Sequence, residues 1–204
     1  MVIKRLPRYY RYLGELLKQG ITRISSKELS TRMGVTASQI RQDLNCFGGF
    51  GQQGYGYNVE LLYGQIAEIL GLDRGYTVVI IGAGHLGHAL ACHGGFKKRG
   101  FSTIGIFDVD PSIVGTEVSD MTVKDYSEID DFVRENKPDI AVLTVPKALV
   151  SQVANHLVDI GIKAFWNFAY TDLPLGDDVV VENVHLSDSL MTLSYNLTCI
   201  AEKE

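Results

Sequence analysis

The stretch YTVVIIGAGHLG, residues 76–87, decides the fold of the C-terminal part of the chain. Strand-forming residues from Tyr76 to Ile81 run directly into a Gly-x-Gly-x-x-Gly turn, Gly82–Gly87, and a helical pattern continues to Lys97. Such a turn binds a dinucleotide when a strand precedes it and a helix follows it. Its glycines then make the tight turn, admit a pyrophosphate and let helix and strand pack closely. We therefore predict an α/β domain of the Rossmann type with a parallel sheet.

A carboxylate stands where a ribose-binding residue is expected. The second predicted strand, Thr103–Phe107, ends at Asp108, 21 residues beyond Gly87. A carboxylate at this position accepts hydrogen bonds from the adenosine ribose hydroxyls and repels a 2′-phosphate, so the sequence favours NAD(H) over NADP(H). Asp110 is a second candidate for this role, although the Asp-Pro step that it begins is more typical of a turn.

The rest of the chain continues the alternation of helices and strands that indicates a parallel sheet. The predicted elements are helices over 127–136 and 147–160 and strands over 140–144, 164–166 and 179–184. Two strands end in Thr144–Pro146 and Asn167–Ala169, at the edge where open α/β sheets bind ligands, and we expect them to line the nicotinamide half of the site. The predicted cofactor-binding residues are Gly82, Ala83, Gly84, His85, Leu86, Gly87, Asp108, Thr144, Val145, Pro146, Asn167, Phe168 and Ala169.

The chain has little room for an enzyme active site. About 130 residues follow Arg74, enough for one nucleotide-binding domain but not for a substrate domain beside it. There is no Tyr-x-x-x-Lys dyad, nucleophile elbow or pair of carboxylates placed for acid–base chemistry, and His85 is expected to be a packed or solvent-edge side chain rather than a catalyst. No Cys-x-x-Cys pair suggests a metal site or a disulfide framework. We predict no catalytic residues and no metal, and a coenzyme that acts as a regulatory ligand and not as a reactant.

The charge distribution separates the chain into two parts. The net charge is −5, but residues 1–58 carry nine Lys/Arg against three acids, a net charge of +6, which leaves −11 for the remainder. A basic segment joined to an acidic body is typical of an anion-binding module, because Lys and Arg release counterions from nucleic-acid phosphates.

The basic segment has the pattern of a helix-turn-helix. Apolar residues recur at helical spacing over Leu6–Leu17, a capping box at Ser25–Glu28 begins a second helix, and Gly34 ends it. A second box, Thr36–Gln39, begins a third helix that runs to Leu44. Two short helices joined by so tight a turn predict a DNA reader whose second helix enters the major groove, although an inert helix hairpin is an alternative.

A glycine-rich stretch follows the third helix. Residues Phe47–Tyr57 hold five glycines among aromatic and amide residues, which predicts a β-hairpin wing. A linker is the alternative, but the stretch is too aromatic for a solvated tether. A further helix is predicted over Val59–Leu70, with a boundary at 71–75. The predicted DNA-binding residues are Arg8, Lys27, Thr36, Ser38, Gln39, Arg41, Gln42, Asn45, Gln52, Gln53, Gly54 and Tyr55.

The last segment predicts a dimer. Apolar residues stand at Leu186, Leu190, Leu193, Leu197 and Ile200, which is coiled-coil spacing. We expect this helix to dock on a second subunit rather than on its own domain, and the homodimer to match a two-fold operator. The predicted domains are 1–75, 76–184 and 185–204. Without a long apolar run or a signal peptide, the chain is expected to be soluble and cytoplasmic.

The chain resembles the Rex family of redox-sensing transcriptional repressors over nearly its whole length. The motifs are RLPRYYRYL (5–13), RISSKEL (23–29), GVTASQIRQDL (34–44), FGGFGQQGYGYNV (47–59), GAGHLG (82–87), FDVDP (107–111), WNFA (166–169) and LSYNL (193–197). The resemblance implies a winged-helix domain, an NAD(H)-binding Rossmann domain and a domain-swapped C-terminal helix in a dimer. It also implies repression of fermentative or respiratory genes that is relieved when NADH binds.

Four positions depart from the pattern of that family. The stretch after the recognition helix is usually more basic than Gln52-Gln53, an aromatic residue usually stands at Cys46, an Asp at His185 and a Pro at Tyr170. Fewer charges in the wing are expected to lower phosphate affinity and its salt dependence. A His at position 185 puts the details of the switch in question.

The expected mechanism is a population shift in which NADH and NAD⁺, as regulatory ligands, differ only at the nicotinamide. Three alternatives remain open at this point. One is a small NAD-dependent dehydrogenase with an N-terminal oligomerisation domain, which predicts turnover and no specific DNA binding. Another is a module for coenzyme A or another adenine nucleotide, because the glycine turn recognises pyrophosphate more than nicotinamide. The third is a thiol switch at Cys46 or Cys199.

Overall fold

The chain divides into two units, Met1–Arg74 and Gly75–Glu204. A computed structural model describes residues 2–48, 51–52 and 55–201. Across these ranges no helix combines the length and the apolar character needed to cross a membrane. The same ranges hold no group of three or more His, Cys, Asp or Glu side chains arranged to bind a metal ion.

The N-terminal unit is a helix-turn-helix with a small antiparallel sheet. Its elements are a 3-10 turn (Ile3–Arg5), α1 (Leu6–Lys18), β1 (Arg23–Ile24), α2 (Ser26–Met33), α3 (Ala37–Asn45), β2 (Gly51–Gln52), β3 (Gly56–Asn58) and α4 (Val59–Ile69). The sheet has the order β1-β3-β2, and β2 pairs antiparallel with β3. The predicted hairpin is therefore present after α3. Gln53 and Gly54 lie outside the described residues.

The two predicted capping boxes differ. At Ser25 the box is complete, because its hydroxyl accepts from the Glu28 N–H at 3.1 Å and its own N–H donates to Glu28 Oε2 at 2.8 Å. At Thr36 only half of it forms: the hydroxyl accepts from the Gln39 N–H at 3.1 Å, but the Gln39 side chain donates to Asp43 Oδ1 at 2.7 Å. The reciprocal box predicted there is wrong, since donation to a carboxylate is stronger than a hydrogen bond between neutral groups.

The helices of the first unit share one apolar core. Leu13 of α1, Leu29 of α2, Ile40 and Leu44 of α3 and Ile66 of α4 are fully buried in it. Each such side chain contributes about 1.5–3 kcal/mol through burial alone. This core sets how α3 is held against α1 and which face of α3 is left outward.

The second unit is built on a parallel sheet. Its strands are β4 (Tyr76–Ile81), β5 (Phe101–Asp108), β6 (Glu117–Val118), β7 (Met121–Thr122), β8 (Lys124–Asp125), β9 (Ile140–Leu143), β10 (Ala164–Asn167) and β11 (Val180–Asn183). Its helices are α5 (His85–Ala91), α6 (Ile129–Asn136), α7 (Lys147–Asp159) and α8 (Leu186–Ala201). Six strands pair in parallel in the order β11-β10-β9-β4-β5-β8, while β6 and β7 form a separate hairpin. This is the doubly wound order, whose direction reverses between β4 and β9.

The helix after the glycine turn is shorter than predicted. It ends at Ala91 instead of reaching Lys97, and a 3-10 turn, Lys97–Arg99, follows after a break. The break falls at Gly94 and Gly95, and two glycines in sequence cost a helix about 2 kcal/mol relative to alanine. The apolar periodicity alone did not reveal this end.

The two faces of the sheet are covered differently. Val79 and Ile81 of β4 lie on the face that α6 and α7 cover, together with Phe107 and Leu143. The alternate residues of β4 lie on the other face, where a groove of about 420 Å³ opens over β4, β9, β10 and β11. Val78, Ile80, Phe96, Val142, Trp166 and Val180 are among the residues that line it. This side of the sheet therefore carries an apolar groove above a buried cluster that includes Val78, Ile80 and Val142.

Helix α8 presents its apolar residues to the outside. All five residues of the predicted stripe are between 54% and 67% exposed in the single chain. An amphipathic helix normally buries such a stripe. No other described part of this chain therefore packs over the apolar stripe of α8.

We expect Phe107→Ala to destabilise the second unit by about 3–5 kcal/mol, because it removes a fully buried ring and leaves a cavity. The Phe107 ring meets Phe132 edge-on at 5.1 Å between centroids. Unfolding in denaturant measures the effect. Val109→Ala is the control, since Val109 is 69% exposed. Equal losses in the two variants would contradict the assignment of the core.

Candidate nucleotide site and nucleic-acid interface

The glycine turn joins β4 to α5, and its three glycines have different surroundings. Gly82 has a φ of +98°, and a Cβ there would lie 2.9 Å from the Thr144 carbonyl oxygen. A Cβ on Gly87 would collide with the carbonyl oxygen of Gly82. At Gly84 a Cβ would meet nothing within 4 Å. The outer two glycines thus permit the turn and the close helix packing, while the middle one faces open space that a ligand can enter.

Asp108 ties the end of β5 to this turn. Its Oδ2 accepts from the Ala83 N–H at 2.6 Å, and its Oδ1 accepts from the N–H groups of Val109 and Asp110 at 2.7 and 2.9 Å. A carboxylate offers about four acceptor positions, so about one remains for a ligand hydroxyl. The carboxylate predicted to bind ribose therefore also holds the glycine turn in place.

Asp110 is a turn residue. Its Oδ1 accepts from the N–H and the hydroxyl of Ser112 at 2.8 and 2.7 Å. These hydrogen bonds lower the pKa of the Asp110 carboxyl below its ordinary value. Its interactions are local, whereas Asp108 contacts the glycine turn.

Thr144, at the end of β9, supports the same turn from the other side. Its hydroxyl lies 2.7 Å from the Gly82 carbonyl oxygen and 3.0 Å from that of Ile81, and it donates to these two oxygens. Val145 is half-buried and Pro146 exposed as the chain leaves the sheet for α7. The proton of the Thr144 hydroxyl is therefore already donated within the protein, Val145 packs against the core, and only Pro146 is exposed.

Asn167, at the end of β10, is fully buried and organises the loop that follows. Its Oδ1 accepts from the Ala169 N–H at 3.0 Å, and its Nδ2 donates to the Thr171 carbonyl at 2.7 Å and to Asn183 Oδ1 at 2.8 Å. Phe168 is half-buried against Trp166. Ala169 is buried in the core, and the Asn167 amide is already engaged, so the side chain of Phe168 is the most exposed part of this segment.

The predicted cofactor residues meet along one edge of the sheet. Strands β5, β4, β9 and β10 are neighbours, so their carboxyl ends bring Asp108, the glycine turn, Thr144 and Asn167 side by side. His85 is exposed at the first residue of α5, and Leu86 is half-buried beside it. The switch point between β4 and β9 is where doubly wound sheets bind their ligands.

Helix α3 presents a polar face. Ser38, Arg41, Gln42 and Asn45 are exposed, and Arg41 Nη1 donates to Ser26 Oγ at 3.1 Å. Gln39, predicted to face outward, is half-buried because of its bond to the buried Asp43. The outward residues carry the hydrogen-bonding side chains that read base edges and phosphates.

The other predicted DNA-binding residues that the structure describes lie on α1, α2, the cap of α3 and the wing. Arg8 and Lys27 are exposed on α1 and α2, and Thr36 caps α3. Tyr55 is 69% exposed, with the Arg23 guanidinium over its ring at 5.9 Å. Gln52 is placed in β2 by its backbone. These positions belong to the same unit as α3, the helix that the sequence predicts to read DNA.

A buried ionic cluster in the first unit was missed by the sequence reasoning. The carboxylate of Asp43, fully buried, accepts from Arg5 Nε and Nη2 at 2.6 Å each, from the Tyr9 hydroxyl at 2.9 Å and from Gln39 Nε2. The Arg5 guanidinium lowers the pKa of this carboxyl below its ordinary value. The only sequence signal was an acid on the apolar side of α3, three residues after Ile40.

Known proteins match both units. Residues 1–45 match a family model described as the N-terminus of putative DNA-binding proteins, and residues 73–171 match one described as a CoA binding domain. A redox-sensing transcriptional repressor Rex from Thermoanaerobacter sp. strain X514 is 59% identical over 196 residues, covering 96% of this chain and 88% of the relative. The chain belongs to the Rex family.

Solved structures of Rex-family repressors agree. A complex of RSP with β-NAD⁺ and operator DNA superposes with a TM-score of 0.91 at 59% identity and covers 96% of this chain and 90% of that one. A complex of RSP with β-NADH superposes with a TM-score of 0.91 at 53% identity, covering 100% and 97%. The predicted fold, a DNA-binding helical domain followed by a Rossmann-like domain, is confirmed. The named Rex relatives are repressors and not enzymes, so the dehydrogenase alternative is not favoured.

Two glycine variants separate the two functions of the turn. We expect Gly84→Ala to fold with nearly unchanged melting temperature but to bind NADH roughly tenfold more weakly, a loss of about 1.4 kcal/mol. Its φ of −63° suits any residue, and the added methyl group occupies only the open space. Gly87→Ala should instead lower the melting temperature, since its methyl group meets backbone. Thermal denaturation and calorimetric titration test both, and unchanged NADH affinity in Gly84→Ala would contradict the placement of the ligand.

Proposed function

We propose that this protein is a transcriptional repressor that senses the NADH/NAD⁺ ratio. It binds a palindromic operator as a homodimer in the cytoplasm and leaves the DNA when NADH binds. The observation that carries the proposal is the presence, in one Rex-family chain, of a helix-turn-helix with a wing and an open glycine turn at the switch point of a parallel sheet. RSP relatives are described in complex with NAD⁺ and operator DNA and with NADH, which supports both ligands.

On the DNA side, α3 is the proposed recognition helix. Ser38, Arg41, Gln42 and Asn45 supply exposed groups for base edges and phosphates, and Gln39 stands beside them. Arg8, Lys27 and Thr36 on the flanking helices, with Gln52, Gln53, Gly54 and Tyr55 of the wing, complete the proposed contact set. Phosphate contacts from the basic residues position the unit, and the amide and guanidinium groups specify sequence.

On the coenzyme side, the pyrophosphate is proposed to lie over Gly84, against the backbone N–H groups that begin α5 at His85 and Leu86. Gly82, Ala83 and Gly87 shape this turn, and Asp108 accepts from the adenosine ribose. The nicotinamide end is assigned to Thr144–Pro146 and Asn167–Ala169. NADH and NAD⁺ differ only at that end, so a conformational response must originate there.

The dimer is proposed to form through α8, residues 185–204 being its dimerisation segment. The exposed stripe of α8 and the open apolar groove on the sheet are complementary surfaces of the same chain. Burying apolar area yields about 25 cal/mol per Å², so a second copy that supplies its helix to this groove stabilises both surfaces. The same arrangement, repeated about a two-fold axis, pairs two recognition helices for a palindrome.

Operator gel shifts with each nucleotide test the sensing function. We expect NADH to lower operator affinity roughly 5- to 150-fold relative to NAD⁺, the usual range of allosteric coupling. Asp108→Ala should weaken NADH binding and remove this response. Asp110→Ala is the matched control and should respond like the original protein, because Asp110 serves only its own turn. Equal retention of DNA in saturating NADH and NAD⁺ would end the sensor proposal, and release by coenzyme A instead would favour the adenine-nucleotide module.

Replacing two residues of the stripe, Leu190→Lys with Leu197→Lys, is expected to yield a monomer. Sedimentation velocity measures the mass, and the single tryptophan, Trp166, reports the groove through a red shift of its emission when the groove loses its cover. Leu149→Lys, on α7 at 46% exposure, is the control for a charge on an exposed leucine. A doubly substituted chain that still sediments as a dimer would refute the assignment of α8.

A further inference from the structure

We infer that Asp43 is a positioning residue that fixes the orientation of the Gln39 amide, and that Gln39 thereby selects adenine over guanine at one position of each operator half-site. The inference rests on the proposed DNA-binding function and deepens it. It starts from a side chain that makes no outward contact of its own, since Asp43 is fully buried behind the recognition helix.

The carboxylate of Asp43 can only accept hydrogen bonds. Arg5 donates to both oxygens, Oδ2 and Oδ1, at 2.6 Å each, which fixes the plane of the group. Tyr9 donates to Oδ2 at 2.9 Å and Gln39 Nε2 donates to Oδ1 at 2.7 Å. If the Gln39 amide were flipped, Oε1 would face a carboxylate oxygen without a proton between them. Only one of the two amide orientations is therefore allowed.

The Gln39 amide keeps one acceptor and one donor that Asp43 does not engage. With one N–H donated to Asp43, Gln39 retains Oε1 and its second N–H for another partner. Oε1 accepts no hydrogen bond within the described part of the chain. It is also not one of the buried side-chain atoms that lack a partner there. Gln39 is the third residue of α3 and stands next to the exposed Ser38. Residues near the N-terminus of a recognition helix are those that reach base edges.

An acceptor next to a donor is the pattern that adenine pairs with in the major groove, through N6–H₂ and N7. Guanine presents two acceptors there, O6 and N7, so Oε1 held in this orientation would oppose O6. A glutamine that is free to rotate could instead present only its NH₂ group to O6 and N7 of guanine. A glutamine held by Asp43 discriminates between them.

The test uses the full chain and duplexes selected from a random pool. For the original protein we expect one adenine position per half-site at which guanine weakens binding roughly 5- to 150-fold. Gln39→Leu should bring that ratio close to one and leave the preference at all other positions unchanged. Gln19→Leu, an exposed glutamine after α1 that is outside the proposed contact set, is the matched control and should keep the adenine preference at that position.

Asp43→Asn tests the positioning itself. It removes the acceptor-only character of the group, so the ratio of adenine to guanine binding should fall at the same position as in Gln39→Leu. If this variant does not fold, as judged by its melting curve, Arg5→Lys takes its place. Lysine keeps the charge but cannot hold both oxygens, and the ratio should again fall.

A merely structural role for the cluster would weaken binding to all sequences equally. An unchanged base preference in Gln39→Leu, or in a folded Asp43→Asn or Arg5→Lys variant, would overturn the inference. Absence of any duplex binding by the original protein would overturn the proposed function as well, and the two failures are thus distinguishable.

Discussion

The contact between the glycine turn and the end of β5 is the constraint on which the second unit depends. The Ala83 N–H donates to Asp108 at 2.6 Å, and the hydroxyl of Thr144 holds the carbonyls of Ile81 and Gly82 from the opposite strand. Helix α5 can approach the turn because Gly87 has no side chain. Three neighbouring strands thus hold one loop, and this loop must be rigid to offer its backbone N–H groups to a phosphate.

A parallel sheet places all the carboxyl ends of its strands on one edge, so the same rule that builds the fold also gathers the site. As a result, several polar groups at this edge form hydrogen bonds within the protein that stabilise the edge itself. Thr144 and Asn167 donate to backbone carbonyls, and Asn167 also bonds Asn183. What is left for a coenzyme is backbone, part of the Asp108 carboxylate and the open space at Gly84. The groups that are not engaged at this edge are suited to hold a dinucleotide, the kind of ligand described in the RSP relatives.

In the first unit, hydrogen bonds to one buried carboxylate hold the elements together. A buried carboxylate is expensive unless every lone pair has a donor, and Asp43 receives four hydrogen bonds from three side chains. These donors come from the residues at the start of α1 and from α3 itself, so the bonds that satisfy the charge also join α3 to α1. Ile40 and Leu44 anchor α3 in the apolar core, while the bonds to Asp43 fix the position of the Arg5, Tyr9 and Gln39 side chains.

Much of this protein is determined by the sequence alone, because the deciding signals are local. The Gly-x-Gly-x-x-Gly turn, the Ser25 capping box, the alternation of strands and helices and the leucine stripe of α8 each lie within a few residues, and together they predicted the fold and the family. The end of α5, the inward turn of Gln39 and the Arg5–Asp43 pair were not predicted. Hydrogen-bond partners 38 residues apart, as Arg5 and Asp43 are, leave no local pattern. Only the tertiary structure decided which polar side chains form hydrogen bonds inside the protein and which remain available for DNA and coenzyme. The reason is that a donor or acceptor is available only when no residue from a distant part of the chain already bonds to it.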